Sequence, residues 1–188
     1  MKLIPETRGK KLLALARQAI FNGKDPAFKD STIQYGAFIT LYIKGKERGC
    51  AGTPYPKTPL EKLVQDCAIY AATKDPRYSE VLLEEANDLT LLLSILSSPK
   101  IIQSEEIQIG NHGIIITQEK QSALHLPHVP IEYGWNVETL LQKTCLKAGL
   151  PENAWSSGAE ISAFETQRFF EERRTKIRPP KRKTTPPM

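Results

Sequence analysis

The sequence is poor in the residues that staple or metallate small proteins. It holds three cysteines and three histidines in 188 residues. Three thiols cannot all pair and do not make a disulfide framework. No Cys-x-x-Cys or His-x-x-x-His pair occurs, so the residues point to no structural zinc, no other metal and no cofactor. No apolar run approaches the ~18–20 residues a membrane-spanning helix needs. The first residues, MKLIPETRGKK, have neither a continuous apolar stretch nor a small-residue cleavage site, so they do not read as a secretory signal. A soluble, cytoplasmic protein is expected.

What the chain has in excess is positive charge, and that charge is localised. The formal net charge is +5, with 26 basic and 21 acidic residues. Seven of the basic residues (Arg173, Arg174, Lys176, Arg178, Lys181, Arg182 and Lys183) fall within 173–188, which holds no acid. The body is left with 19 basic against 21 acidic residues and is slightly acidic. The tail also carries Pro179, Pro180, Pro186 and Pro187, a composition that reads as extended and mobile in isolation. Such a tail is a solubilising end or a non-specific contact for RNA or an acidic partner surface.

Periodicity and punctuation organise the rest. Leu12, Leu15, Ala16, Ala19 and Ile20 follow one helical face, which predicts a helix over 6–22 stopped by Gly23. Residues 24–32 read as a loop. Alternation predicts a strand over 35–43, with Ala37, Ile39 and Leu41 on one side and Phe38, Thr40 and Tyr42 on the other. Lys44-Gly45 fits a tight hairpin into a return strand over 47–51. Pro54 and Pro56 make 52–56 irregular. Thr58-Pro59-Leu60-Glu61 reads as a capping box with proline at the first helical position, opening a helix that Lys74-Asp75-Pro76 ends. The run 88–96 is apolar on both alternations and suits a central strand. A hairpin over 113–126 follows, then a helix over 137–148 capped by Asn136, with 159–170 a final strand or an extended arm. No repeat and no βαβ alternation occurs. The class is α+β, a largely antiparallel sheet with flanking helices.

One segment breaks ordinary strand rules. Two glycines in Arg48-Gly49-Cys50-Ala51-Gly52 suggest backbone freedom or close approach, and such a stretch can turn N–H groups toward an anion as a nest. On an even pleat Arg48 and Cys50 share a face, and a guanidinium beside a thiol favours the thiolate. The plainer reading is a β-bulge at a sheet edge with a small buried thiol. Cys67 and Cys145 lie on apolar helical stripes and read as packing residues. His125 and His128 flank Pro127, so their spacing is not helical and does not place them on one face. His112 reads as a turn residue that could reach the glycine-rich segment only through tertiary folding. Asp75 and Arg77 suit a local ion pair or a ligand clamp, and Trp135 an anchor for the last helix.

Arg48-Gly49-Cys50-Ala51-Gly52-Thr53 resembles the Arg-Gly-Cys-Ile-Gly-Thr signature of the AMMECR domain family. Further landmarks follow in the family's order: Ala71-Ala72-x-x-Asp75-x-Arg77, Ser94-Ile95-Leu96, Gly110-x-His112-Gly113, Leu126-Pro127-x-Val129, Gly134-Trp135 and Lys147-Ala148-Gly149-Leu150. The resemblance spans about residues 10–170. It departs at Ala51, where the family usually has Ile, and at His128, where many relatives carry Gln or Glu, which argues against an obligatory acid or base at 128. The resemblance implies an α+β body over 5–172 with two intimate subdomains, followed by the tail at 173–188. It also implies association with a Memo-like protein and a radical S-adenosylmethionine enzyme in a modification pathway on RNA or a nucleotide-like substrate.

The leading expectation is therefore a binding or accessory module for an anionic, nucleotide-like or peptide ligand, with Arg48, Gly49, Cys50, Gly52, Thr53, Asp75, Arg77 and His112 as site residues. A thiol-dependent enzyme with Cys50 as nucleophile is the second reading, and a protein–protein scaffold the third. An RNA contact made by the tail should show an affinity that falls steeply with salt and is lost on removing 173–188. Fluorescence anisotropy with a single-stranded RNA checks this, and truncation without effect contradicts it.

Overall fold

The computed structural model describes residues 3–25 and 35–171. The tail at 173–188 and residues 26–32 of the expected loop lie outside the described residues. Helix α1 (Glu6–Asn22) buries Leu12, Leu13, Leu15, Ala16 and Ala19. The hairpin β1 (Gly36–Ile43) and β2 (Lys46–Thr53) turns through Lys44 and Gly45, both at positive φ as this tight turn requires. Helix α2 (Leu60–Thr73) is followed by a 3-10 turn at Leu83–Asn87 and by β3 (Leu89–Leu96). The short β4 (Lys100–Ile101) leads to the hairpin β5 (Gly113–Gln118) and β6 (Gln121–His125). A short α3 (Val129–Tyr133), absent from the sequence reading, precedes α4 (Val137–Lys147), and β7 (Glu160–Phe164) and β8 (Thr166–Phe170) close the fold.

These strands form two antiparallel four-stranded sheets, ordered β2-β1-β3-β8 and β4-β7-β5-β6. The protein is α+β, as expected, with two sheets in place of one. One face of the first sheet (Ala37, Ile39, Leu41, Leu91, Leu93, Ile95 and Phe169) packs on α1 and α2. In the second sheet Ile114, Ile116, Ile161 and Ala163 pack on Leu140, Leu141 and Cys145 of α4. The two sheets meet through a smaller cluster of Leu96, Ile115, Leu126 and Phe164, with Phe38 and Leu124 at its margin. Cys67 and Cys145 are buried packing residues, as their stripes predict. Among the described residues no helix is long and apolar enough to cross a membrane.

Residues 159–170 are two strands in different sheets. The chain changes sheet at Glu165, which is stitched to Ser97 at the end of β3. The Glu165 N–H donates to Ser97 Oγ and the Ser97 N–H donates to the Glu165 carbonyl, each at 3.0 Å. The expected capping box is also corrected. Pro59 itself is the N-cap residue of α2, no side chain caps the helix, and Glu61 is buried in an ion pair with Arg8. A tertiary contact has taken the carboxylate that local pattern assigns to the cap. At α4 the reading holds: Asn136 Oδ1 accepts from the Thr139 N–H at 2.8 Å.

The hairpin's glycines answer to packing. A Cβ on Gly49 would lie 2.1 Å from the Ala71 carbonyl oxygen of α2. Gly49→Ala should therefore destabilise the fold by about 2 kcal/mol, the usual scale of overpacking where backbone cannot yield. Chemical denaturation measures it, and an unchanged midpoint contradicts it.

Candidate functional site

The signature segment lies on β2, at the edge of the first sheet, and its pairing is not even. Leu41 faces Gly49, but Tyr42 faces Glu47, so Arg48 is the extra residue of a bulge. The bulge corrects the expectation that Arg48 and Cys50 share a face. Glu47, Cys50, Thr40 and Tyr42 fall together on the face turned toward the second sheet. Arg48 is directed to the segment after α2 instead. There its Nε and Nη2 donate to the Glu85 carboxylate at 2.9 and 3.0 Å, its Nη1 to the Ser79 carbonyl at 2.6 Å, and its Nη2 to the Glu80 carbonyl at 2.9 Å.

Gly49 and Gly52 allow close approach, but the approaching groups are the protein's own. A Cβ on Gly52 would meet the Ala37 carbonyl and the Phe38 ring at 2.3 Å. Neither glycine has positive φ, so the segment remains a strand and does not curl into a nest. The anion at its backbone is Asp75. This carboxylate, 5% exposed, accepts from the Cys50 N–H at 2.8 Å and from the Arg77 backbone N–H, Nε and Nη2 at 3.1, 3.0 and 2.7 Å. The Arg77 side chain holds the Asp75 carboxyl at about 2, outweighing the opposing effect of burial, with the two backbone donors helping. Arg77 also reaches Glu47 at 2.9 Å and lies over the Tyr78 ring. Thr53 stays local, its Oγ1 accepting from the Tyr55 N–H at 3.1 Å.

Cys50 is half-buried, with Sγ 3.3 Å from Thr40 Oγ1. Burial pushes its thiol above the ordinary value. The Thr40 hydrogen bond and the charge of Arg77 act the other way and do not outweigh it, while Glu47 adds to the rise. The expected thiolate beside Arg48 is thus replaced by a protonated thiol whose nearby guanidinium belongs to Arg77. Burial and Glu47 likewise keep the neighbouring Tyr42 hydroxyl neutral.

His112 is not brought to Cys50. Its Nδ1 accepts from the Gln108 N–H at 3.3 Å, and it lines a cavity of about 310 Å³ with Pro127, His128, Ile131, Thr166 and Arg168. This cavity lies between the 108–112 loop, the start of α3 and the corner where the chain changes sheet. Its volume is at the lower end of the range of small-molecule sites. His128 lines it and is held below the ordinary imidazole value, by burial first; Glu132 and Glu47 oppose the shift and Arg168 reinforces it. His125 points the other way, into α4, where Nδ1 lies 2.9 Å from Thr144 Oγ1 and the ring meets the edge of Trp135. Burial lowers His125 to about 4.

Three residues of this region were missed in sequence. Glu47 needed the bulge to be known. Arg168 sat in an unresolved strand-or-arm segment. Lys147, within the expected helix over 137–148, is an exposed residue whose ammonium is tucked against the Leu124 carbonyl at 2.9 Å. Desolvation lowers its pKa, followed by the charge of Arg77; Cys50 and Glu47 act oppositely, so Lys147 belongs to the same electrostatic cluster. Its place in the Lys147-Ala148-Gly149-Leu150 landmark was the available signal. Among the described residues no His, Cys, Asp and Glu group is arranged to hold a metal.

The architecture defines a class: an α+β protein with two antiparallel sheets, a glycine-bearing bulged edge strand pinned by a buried carboxylate, and a polar cavity between the sheets. The AMMECR1 family model matches residues 9–169, and the chain belongs to that family. It is similar to the protein MJ0810 of Methanocaldococcus jannaschii, 41% identical over 87% of this chain and 81% of that one. It is also similar to Mbar_A1807 of Methanosarcina barkeri, 43% identical over 72% of this chain and 70% of that one. The crystal structure of the uncharacterized protein PH0010 from Pyrococcus horikoshii matches with a TM-score of 0.83 and 35% identity, over 90% of this chain and 94% of that one.

The depressed Asp75 has a stability consequence of definite sign. Its contribution is in place above the unfolded value near pH 4 and is lost as pH falls toward about 2. Asp75→Asn should cost about 2 kcal/mol at pH 7 and flatten the acid limb of stability against pH. Urea denaturation between pH 2 and 7 checks this, and curves parallel to wild type contradict it.

Proposed function

We propose that this AMMECR1-family protein is a binding module whose small ligand enters the cavity between the two sheets, with Cys50 a packed thiol and not a nucleophile. The observation that carries the reading is a cavity of about 310 Å³ walled by His112, His128, Thr166 and Arg168, whose lining does not include Cys50, a thiol that burial keeps protonated. The Arg48–Thr53 segment lies on β2, at the edge of the first sheet opposite the β8 residues that line the cavity. Its Cys50 N–H is held by Asp75, and Arg77 and Glu47 extend the polar surface beside it. An accessory role in the cytoplasm beside a Memo-like protein and a radical S-adenosylmethionine enzyme accords with such a module, and its support is the family resemblance. The thiol-enzyme reading has one observation in its favour: the positive charge of Arg77 lowers the proton affinity of Cys50.

Equilibrium dialysis of the full chain against a small-metabolite library, read by mass spectrometry, separates the two. Wild type and Cys50→Ser should retain the same compound, while Thr166→Trp, which fills the cavity, should weaken it at least about tenfold. Thermal unfolding of each variant controls for folding. No retained compound in wild type, or turnover of a library compound that needs Cys50 and survives Thr166→Trp, overturns the reading.

A further inference from the structure

The arginines of the described chain are matched to carboxylates with one exception. Arg8 pairs with Glu61, Arg17 with Glu171 at 2.5 Å, Arg48 with Glu85 at 2.9 Å, and Arg77 with Asp75 at 2.7 Å. Arg168 has no carboxylate within ion-pair distance among the described residues; its one close partner is the Phe170 ring, 5.7 Å from the guanidinium carbon. This guanidinium stands in the wall of the inter-sheet cavity. Glu165, in the same wall, is itself partnered.

Three side chains in the same wall can donate, while the Glu165 carboxylate there accepts. His112 accepts a hydrogen bond at Nδ1, so in the neutral ring the proton is on Nε2, which can donate. His128, on the same wall, supplies a second imidazole, and Thr166 a hydroxyl. Ser94 lies directly across the β3–β8 ladder from Arg168 and so shares its face of the sheet. Ser94 is 1% exposed, and its Oγ has no hydrogen-bond partner among the described residues. Ser94 is not among the residues that line the cavity, so Arg168 is the cationic group of this face that reaches it.

We infer that Arg168 is the anion-reading residue of this cavity, and that the ligand carries an oxyanion, a phosphate or a carboxylate, held by the guanidinium with His112 and His128 as neighbouring donors. The inference rests on the binding-module reading and gives that ligand its chemical class. A guanidinium presents a fork of N–H groups that fits either oxyanion, and charge-assisted bonds of this kind are the stronger ones. An anion so placed also stabilises the imidazolium form of His128, against the effects of burial and of Arg168. Glu132 and Glu47 already favour that form, and Glu165 and His112 are the other titratable groups in the wall.

The test is histidine-ring NMR of the full chain titrated with inorganic phosphate and, separately, with acetate, at constant ionic strength set by chloride. The expected result is a saturable shift of the His112 and His128 signals with at least one anion and a raised apparent pKa for His128. Arg168→Gln should weaken that binding about tenfold or more, and Arg168→Lys should retain part of it. Response to phosphate alone assigns phosphate esters, and response to acetate assigns carboxylates; either supports the inference. No saturable shift in wild type, or equal affinity in Arg168→Gln with its fold intact, overturns it. A neutral library compound that needs the cavity but binds Arg168→Gln as well as wild type overturns the anion inference and leaves the binding module standing.

Discussion

A single buried carboxylate organises the site. Asp75 sits just past the end of α2 and accepts hydrogen bonds from β2 and from Arg77 at once. An edge strand presents backbone donors that must find partners. Here the Cys50 N–H finds a charged one supplied by the neighbouring helix. The helix is thereby held close enough that position 49 can only be glycine, since a Cβ there would meet the Ala71 carbonyl. Arg77, held by Asp75, reaches back to Glu47, and the bulge that brings Glu47 to this face sends Arg48 to the 79–85 segment. Arg48 and Gly49 of the signature, with Asp75 and Arg77 just past α2, are thus parts of one clamp that ties α2 and the segment after it to the sheet edge.

That clamp changes the meaning of the cysteine. Once its amide belongs to Asp75 and its thiol lies against Thr40, Cys50 has neither a free oxyanion donor nor the exposed, cationic setting that favours a thiolate. The chemical opportunity moves across the sheet, to where the second half of the chain leans on β8. The stitch between Ser97 and Glu165 fixes the corner at which the two sheets exchange a strand, and the cavity opens beside it. Its walls come from segments far apart in the chain, so its shape depends on both sheets being in register.

Much of the scaffold was legible in sequence because its signals are local. The stripe of α1, the Asn136 cap and the apolar run of β3 each depend on neighbours a few residues away, and each is where it was read. The failures are the places where distant residues compete. Glu61 left the helix cap for Arg8, a partner on another helix. One residue inserted at Arg48 changed which side chain accompanies Cys50, because strand faces are assigned by counting in twos. β7 and β8 read as one segment because the chain changes sheet across a single residue, Glu165. The position of the signature segment was visible in the residues themselves, but what each member touches was not. The cavity, assembled by tertiary contacts, left only scattered marks at His112 and His128.

Burial makes Cys50 a protonated packing thiol. The most direct test is the rate of Cys50 alkylation against pH, followed by intact-mass spectrometry with Cys67 and Cys145 as internal references. Slow labelling and an apparent pKa above the ~8.5 of a free thiol are expected. Fast labelling at neutral pH, with an apparent pKa well below that value, would contradict this and return Cys50 to the role of nucleophile.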